Sequence, residues 1–143
     1  MALAYARVTP ATGTVELANA GMPDPLLVRP GARPVPLEVP GPRLPLGIRD
    51  DVAYTSITQR LGSDECLLLF SDGIPEARRP SGEPLGFDGL AELVGRTKMK
   101  EQGPHEVEGW LDAVVDAVQR GTSAVLDDDW TAVVVDCRQF GGA

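Results

Sequence analysis

Apolar and β-prone residues alternate from Ala2 to Val8 and again from Thr14 to Asn19, with Pro10, Thr12 and Gly13 between them. That pattern predicts a β-hairpin. Alternation returns from Val52 to Leu61, as in a strand with one covered face. A turn at Gly62, Ser63 and Asp64 then leads into Cys66 to Phe70, a continuous apolar run suited to a strand covered on both faces. These two segments are expected to form a second hairpin. Helical spacing follows: Asp88 to Val94 can start a short helix. In Glu106 to Gln119 the residues Val107, Trp110, Leu111, Val114, Val115 and Val118 recur at intervals of three and four, which marks one apolar helical face. Trp130 to Cys137 closes the series with a β-branched strand, and the Gly-rich end is expected to fray.

The stretch from Met22 to Pro45 breaks both periods. Prolines at 23, 25, 30, 34, 36, 40, 42 and 45 exclude a central strand or a helix beyond Leu26 to Val28, so a long stiff surface loop is expected, its core at residues 30–45. Too few residues precede it to build a core alone, which places it inside one domain over residues 1–143. Strands, two helices and a strand predict the α+β class.

Composition narrows the function classes. A hydrophobic content of 43% in 143 residues is enough for a buried core. With 21 acidic and 13 basic residues the net charge is −8, which argues against nucleic acid as a partner. No apolar run approaches the ~20 residues that span a bilayer, and no export signal is visible at the N-terminus, so no membrane association and a cytoplasmic setting are expected. Cys66 and Cys137 lie in strand-like segments and read as small buried hydrophobes.

His105 is the single histidine and is expected at the surface beside Pro104, so zinc sites and histidine-based nucleophilic catalysis have little to build on. Oxygen ligands remain. They concentrate at Asp72, directly after the Cys66 to Phe70 strand, and at Asp127, Asp128 and Asp129, directly before the last strand. If those strands are antiparallel neighbours, their adjoining ends meet at one rim, and Asp72 and Asp128 come together across 56 positions of sequence. Carboxylates gathered there repel one another, and a hard divalent cation offsets that repulsion. Each signal alone also has a plain reading: an Asp-Gly pair is usually a turn, and an acidic triplet is usually a solvated loop.

The order of the motifs resembles a known family. Asn19-Ala20-Gly21, Pro25-Leu26-Leu27 with an Arg-Pro-Gly turn, and Leu46-Gly47-Ile48 come first. Leu67-Leu68-Leu69-Phe70-Ser71-Asp72-Gly73-Ile74-Pro75-Glu76-Ala77-Arg78, Gly82-Glu83-Pro84-Leu85-Gly86 and Asp128-Asp129-Trp130-Thr131 follow. Together they are similar to the successive motifs of metal-dependent serine/threonine phosphatases of the PPM (type 2C) class, in its bacterial SpoIIE-like branch. The resemblance runs from near residue 1 to about Cys137.

The resemblance implies a β-sandwich flanked by helices, with two metal ions, Mn²⁺ or Mg²⁺, in a cleft at one edge. It also implies Asp72 and Asp128 as metal ligands, with Asp129 in place of Asp128 if the register is offset by one. Gly73, Glu76 and Arg78 become candidates to orient that loop or the substrate; the plain reading of Glu76 and Arg78 is an exposed ion pair. The implied substrate is a phosphoserine or phosphothreonine protein of the anti-sigma-factor-antagonist type. Two departures stand out: Met22 follows Asn-Ala-Gly where the family commonly has His, and the family's earlier Gly-Asp-x-Ser-Gly-His-Gly segment is not among these 143 residues. The expectation is therefore a fold lacking its N-terminal strands and helices, with weak or no turnover of a generic phosphoester. Uncovered sheet edges favour a homodimer. A non-catalytic binding module of the same fold is the alternative, and an unrelated α+β domain with merely solvated acidic loops the third.

Overall fold

The computed structural model describes residues 1–97, 106–123 and 128–136. Among these residues seven strands form two sheets. The first sheet holds β1 (Leu3–Thr9), β2 (Thr14–Ala20) and β5 (Ser56–Arg60) in the order β1-β2-β5. The second holds β3 (Leu26–Val28), β4 (Val35–Pro36), β6 (Cys66–Phe70) and β7 (Ala132–Asp136) in the order β4-β3-β6-β7. All pairings are antiparallel. Among the described residues three helices, α1 (Gly73–Glu76), α2 (Gly86–Arg96) and α3 (Glu106–Gly121), complete the fold.

The expected first hairpin forms as β1 and β2, with Val8 opposite Val15. Gly13 makes its turn at φ +65°, a conformation costly for any residue with a Cβ. The second hairpin does not form. β5 pairs with β2 through Leu17 and Ile57, while β6 pairs with β3 and β7. The reason is how each segment buries its side chains. β5 alternates and needs cover on one face only, whereas every residue of β6 is apolar and needs cover on both, which only an interior strand of the other sheet receives. The chain crosses between sheets at Leu61, itself buried.

Period-two alternation splits β6 between two apolar layers. Leu67 joins Val15, Leu17, Leu27, Val39 and Leu61 between the sheets, with Leu69 packed against them. Cys66, Leu68 and Phe70 face the other way, onto Leu90 and Val94 of α2 and Trp110, Val114 and Val118 of α3. The stack is thus sheet, sheet, helices. The strands do not share a single layer: Val15 and Ile57 belong to the inter-sheet layer and Leu68 to the helical one. Val133 is 52% exposed on the edge strand β7. The predicted apolar stripe of α3 is observed, with Trp110, Val114 and Val118 buried. The Trp110 indole Nε1 donates to the Thr97 carbonyl at 2.9 Å, which satisfies its one polar atom.

The proline-rich stretch is more structured than a surface loop. β3 lies inside the second sheet, β4 is a two-residue edge strand ending on Pro36, where a missing N–H costs no ladder bond, and Val39 is buried between the sheets. Boundaries elsewhere moved by a few residues: α2 runs from Gly86 and α3 to Gly121, while β5 begins at Ser56 and β7 at Ala132. The one-turn helix α1 was not foreseen. His105, Cys137 and Asp127 lie outside the described residues. Among the described residues no helix is long and apolar enough to cross a membrane.

Candidate functional site

Register decides where the acidic residues go. Phe70 of β6 stands opposite Ala132 of β7, so the residues that follow one strand and those that precede the other emerge at the same edge of the second sheet. Ser71 continues the ladder for one more step, its N–H donating to the Thr131 carbonyl at 2.9 Å. Asp72 then opens α1 without capping it: its side chain makes no cap hydrogen bond, and its carboxylate is exposed. Beyond it, Gly73, Ile74 and Pro75 are buried.

Gly73 shows how tightly the two acidic segments meet. A Cβ on this glycine would lie 2.7 Å from the Asp129 carbonyl oxygen, 3.3 Å from the Asp128 Cβ and 3.4 Å from Trp130 Cδ1. The first distance is shorter than Cβ contacts that occur in proteins, and the atom met is backbone, so only glycine admits the 128–130 segment at this separation. Asp128 is exposed, and its Oδ1 accepts the Asp129 N–H at 2.8 Å. Asp129 is exposed as well, while Trp130 is half-buried and packs against the helix-facing core. The expected meeting of the Asp72 and Asp128 segments at one rim is therefore observed. Among the described residues there is no group of three metal-capable side chains.

Glu76 and Arg78 lie one turn further on. Glu76 ends α1 with its side chain exposed. Arg78 is held by its own neighbourhood: Nη1 donates to the Gly82 carbonyl at 2.9 Å, its backbone bridges to Pro84, and its carbonyl accepts the Ser123 N–H. That loop thereby ties α1 to the end of α3.

A second turn belongs to the same rim. β3 pairs Leu26 with Leu68, so the residues before Leu26 lie toward the Asp72 end of β6. There Asn19, 7% exposed, closes a turn on itself: Nδ2 donates to the Met22 carbonyl at 2.8 Å and Oδ1 accepts the Met22 N–H at 2.9 Å. Gly21 sits in this turn at φ +85°. Asp24 follows, paired with Arg43 at 2.6 Å, and this hydrogen bond and charge raise the guanidinium pKa above its ordinary value. Beside it opens a groove of ≈ 480 Å³ lined by Pro23, Leu26, Arg33, Val35 and Phe87. Phe87 stacks at a tilt on Phe70, ring centroids 6.3 Å apart. Sequence reasoning gave Asn19 no role, although an Asn placed two residues before a glycine was a usable sign of an Asx-type turn.

The sequence model of the family described as Stage II sporulation protein E (SpoIIE) matches residues 1–138. No curated protein matches the chain. Solved structures do. The RsbU and RsbW domains of Rv1364c from Mycobacterium tuberculosis superpose with a TM-score of 0.76 at 21% identity, over 93% of this chain and 35% of that one. The phosphatase domain of the cell fate determinant SpoIIE from Bacillus subtilis gives 0.66 at 18%, over 95% and 58%. The SiaA-PP2C domain of Pseudomonas aeruginosa gives 0.68 at 17%, over 87% and 46%. The chain thus spans between about a third and three-fifths of these neighbours, and the likeness establishes a fold of the PP2C phosphatase kind. With the family match covering all but the last five residues, the chain belongs to the SpoIIE family.

Proposed function

We infer that this chain is a protein serine/threonine phosphatase domain, a phosphoprotein phosphohydrolase. Mn²⁺ or Mg²⁺ would be held at the rim by Asp72 and Asp128, with Asp129 as the substitute for Asp128. The single observation that carries this reading is the packing of Gly73 against Asp128, Asp129 and Trp130. It places two exposed carboxylate-bearing segments side by side at the edge of a rigid sheet. The donors fit a hard cation: they are oxygens only, the Asp72 carboxylate is not spent on capping α1, and a small divalent ion takes one or two carboxylates and keeps several waters.

When bound, the cation supplies activation of water and positive charge for the phosphoryl oxygens. The chain's own residues do the placing. The bare α-carbon of Gly73 lets the acidic segment close on the Asp72 turn, and Trp130 anchors that segment in the core beneath it. Glu76 and Arg78 are the candidates to orient this loop or the phosphorylated segment. The groove beside Asp24 opens along the same rim and suits the chain that carries the phosphoresidue. By family resemblance the substrate is a small regulator of the anti-sigma-factor-antagonist type. A homodimer is proposed on β1 and β7, one edge strand of each sheet, with Leu3 and Tyr5 of β1 and Val133 of β7 exposed.

The test is hydrolysis of a phosphoserine peptide in Mn²⁺, run beside Mn²⁺ binding, for wild type and Asp72→Asn. Binding that depends on Asp72, with Asp72-dependent turnover however slow, supports the phosphatase. Binding without turnover favours the non-catalytic module of the same fold, and no binding contradicts both the metal and the catalytic assignment.

A further inference from the structure

The β6–β7 ladder ends in an irregular way at its last step. An antiparallel hydrogen-bonded pair exchanges two bonds, each N–H donating to the other residue's carbonyl. Ser71 and Thr131 form the next pair beyond Phe70 and Ala132, and the first bond is present, Ser71 N–H to the Thr131 carbonyl at 2.9 Å. The reciprocal acceptor is replaced. The Ser71 carbonyl turns away to accept the Ile74 N–H at 3.3 Å, which starts the turn that becomes α1. The Thr131 N–H donates instead to the Ser71 hydroxyl, at 3.0 Å. The same hydroxyl donates to the Asp129 carbonyl at 3.3 Å. One small side chain thus lets β6 end in a helical turn and β7 begin in register, and it holds Asp129 by the carbonyl that lies over Gly73.

We propose that Ser71 is a positioning residue: its hydroxyl, bonded to both Thr131 and Asp129, fixes the Asp128–Thr131 segment against the Asp72 turn and so sets the separation of the two carboxylates. The proposal rests on the reading of the rim as a metal site. Ser71 does not touch the cation or the substrate; it acts through the backbone of the segment that bears Asp128. Alanine cannot make either bond, whereas threonine keeps both the donor and the acceptor.

The experiment compares wild type, Ser71→Ala, Ser71→Thr and Asp72→Asn by two readouts: calorimetric titration with MnCl₂, and hydrogen exchange at the Thr131 amide followed by NMR. Groups that hold metal ligands in place typically change affinity by roughly tenfold or more when removed. Ser71→Ala is expected to weaken Mn²⁺ binding by roughly that factor and to speed Thr131 exchange by roughly tenfold, while Ser71→Thr restores both. Unchanged Thr131 exchange in Ser71→Ala overturns the clamp. So does unchanged Mn²⁺ affinity in Ser71→Ala where Asp72→Asn loses it. If wild type binds no Mn²⁺, the metal reading fails separately, and Thr131 exchange alone then decides whether Ser71 fixes the segment.

Discussion

The two sheets share a core layer but live under different constraints. In the second sheet β6 is covered twice, by the first sheet through Leu67 and by the helices through Cys66, Leu68 and Phe70. In the first sheet β1 alternates strictly between exposed and half-buried positions, and its outer face shows Leu3 and Tyr5 to solvent. The candidate chemistry hangs entirely on the sheet with two covered faces. Asp72 leaves a strand buried at four of its five positions, and Asp128 precedes that strand's neighbour. A strand packed on both faces has little freedom to shift, so the residues at its end inherit a fixed position. That is what a site needing two carboxylates at a set separation requires.

Substitutions at matched positions in the two sheets would break this contrast if it is wrong. Leu68 is 1% exposed, and Leu68→Ala is expected to cost roughly 2–5 kcal/mol of folding stability, by loss of transfer free energy and by the cavity left between β6 and the helices. Urea denaturation gives the value; a loss below about 1 kcal/mol would mean that the helical layer is not packed as described.

Gly73→Ala comes next. Its Cβ would force the Asp129 carbonyl back from 2.7 Å, and overpacking of this kind costs roughly 1–3 kcal/mol. The same displacement moves Asp128, so metal affinity at the rim is expected to fall together with the thermal midpoint.

A smaller effect is expected where charge rather than packing holds the structure. Glu65 accepts the Gly62 N–H at 2.9 Å and pairs with Arg29, and these bonds, the backbone one first, lower its pKa below the usual carboxylate range. A carboxylate with a lowered folded-state pKa adds stability that is fully present above the unfolded-state value and lost as pH falls through the folded-state one. Glu65→Gln should therefore cost about 1 kcal/mol near neutral pH and progressively less on acidification. A cost independent of pH down to the acid transition would remove the electrostatic part of the account. Tyr5→Ser, on the open face of the first sheet, is expected to change stability by no more than about 0.5 kcal/mol. A large loss would reveal a partner surface on that face.

How much the sequence disclosed follows the same division. Alternation in β1, β2 and β5 and the unbroken run in β6 were legible because side-chain period reports directly on which faces are covered. Pairing was not. Nothing in Val52 to Leu61 says that it joins β2 rather than the strand four residues away, since that choice is made by layers assembled from distant parts of the chain. The proline-rich stretch misled only in part: Leu26 to Val28, the one place left open for a strand, does sit in mid-sheet, but the edge strand β4 and the buried Val39 fall within the segment that reads as surface loop. At the site, the β6–β7 register brought the Asp72 and Asp128 segments together, as the adjoining strand ends implied. The role of Ser71 was not readable. A hydroxyl that stands in for a backbone carbonyl is visible only once the turn after β6 has drawn that carbonyl away.

The central claim is that the meeting of the Asp72 and Asp128 segments makes a cation site, and calorimetric titration of MnCl₂ into wild type and into Asp72→Asn tests it most directly. The account predicts saturable binding by wild type, weaker than a site with a full ligand set would give, and a loss of roughly tenfold or more in the variant. Equal heats for the two proteins, or no binding by either, would contradict it.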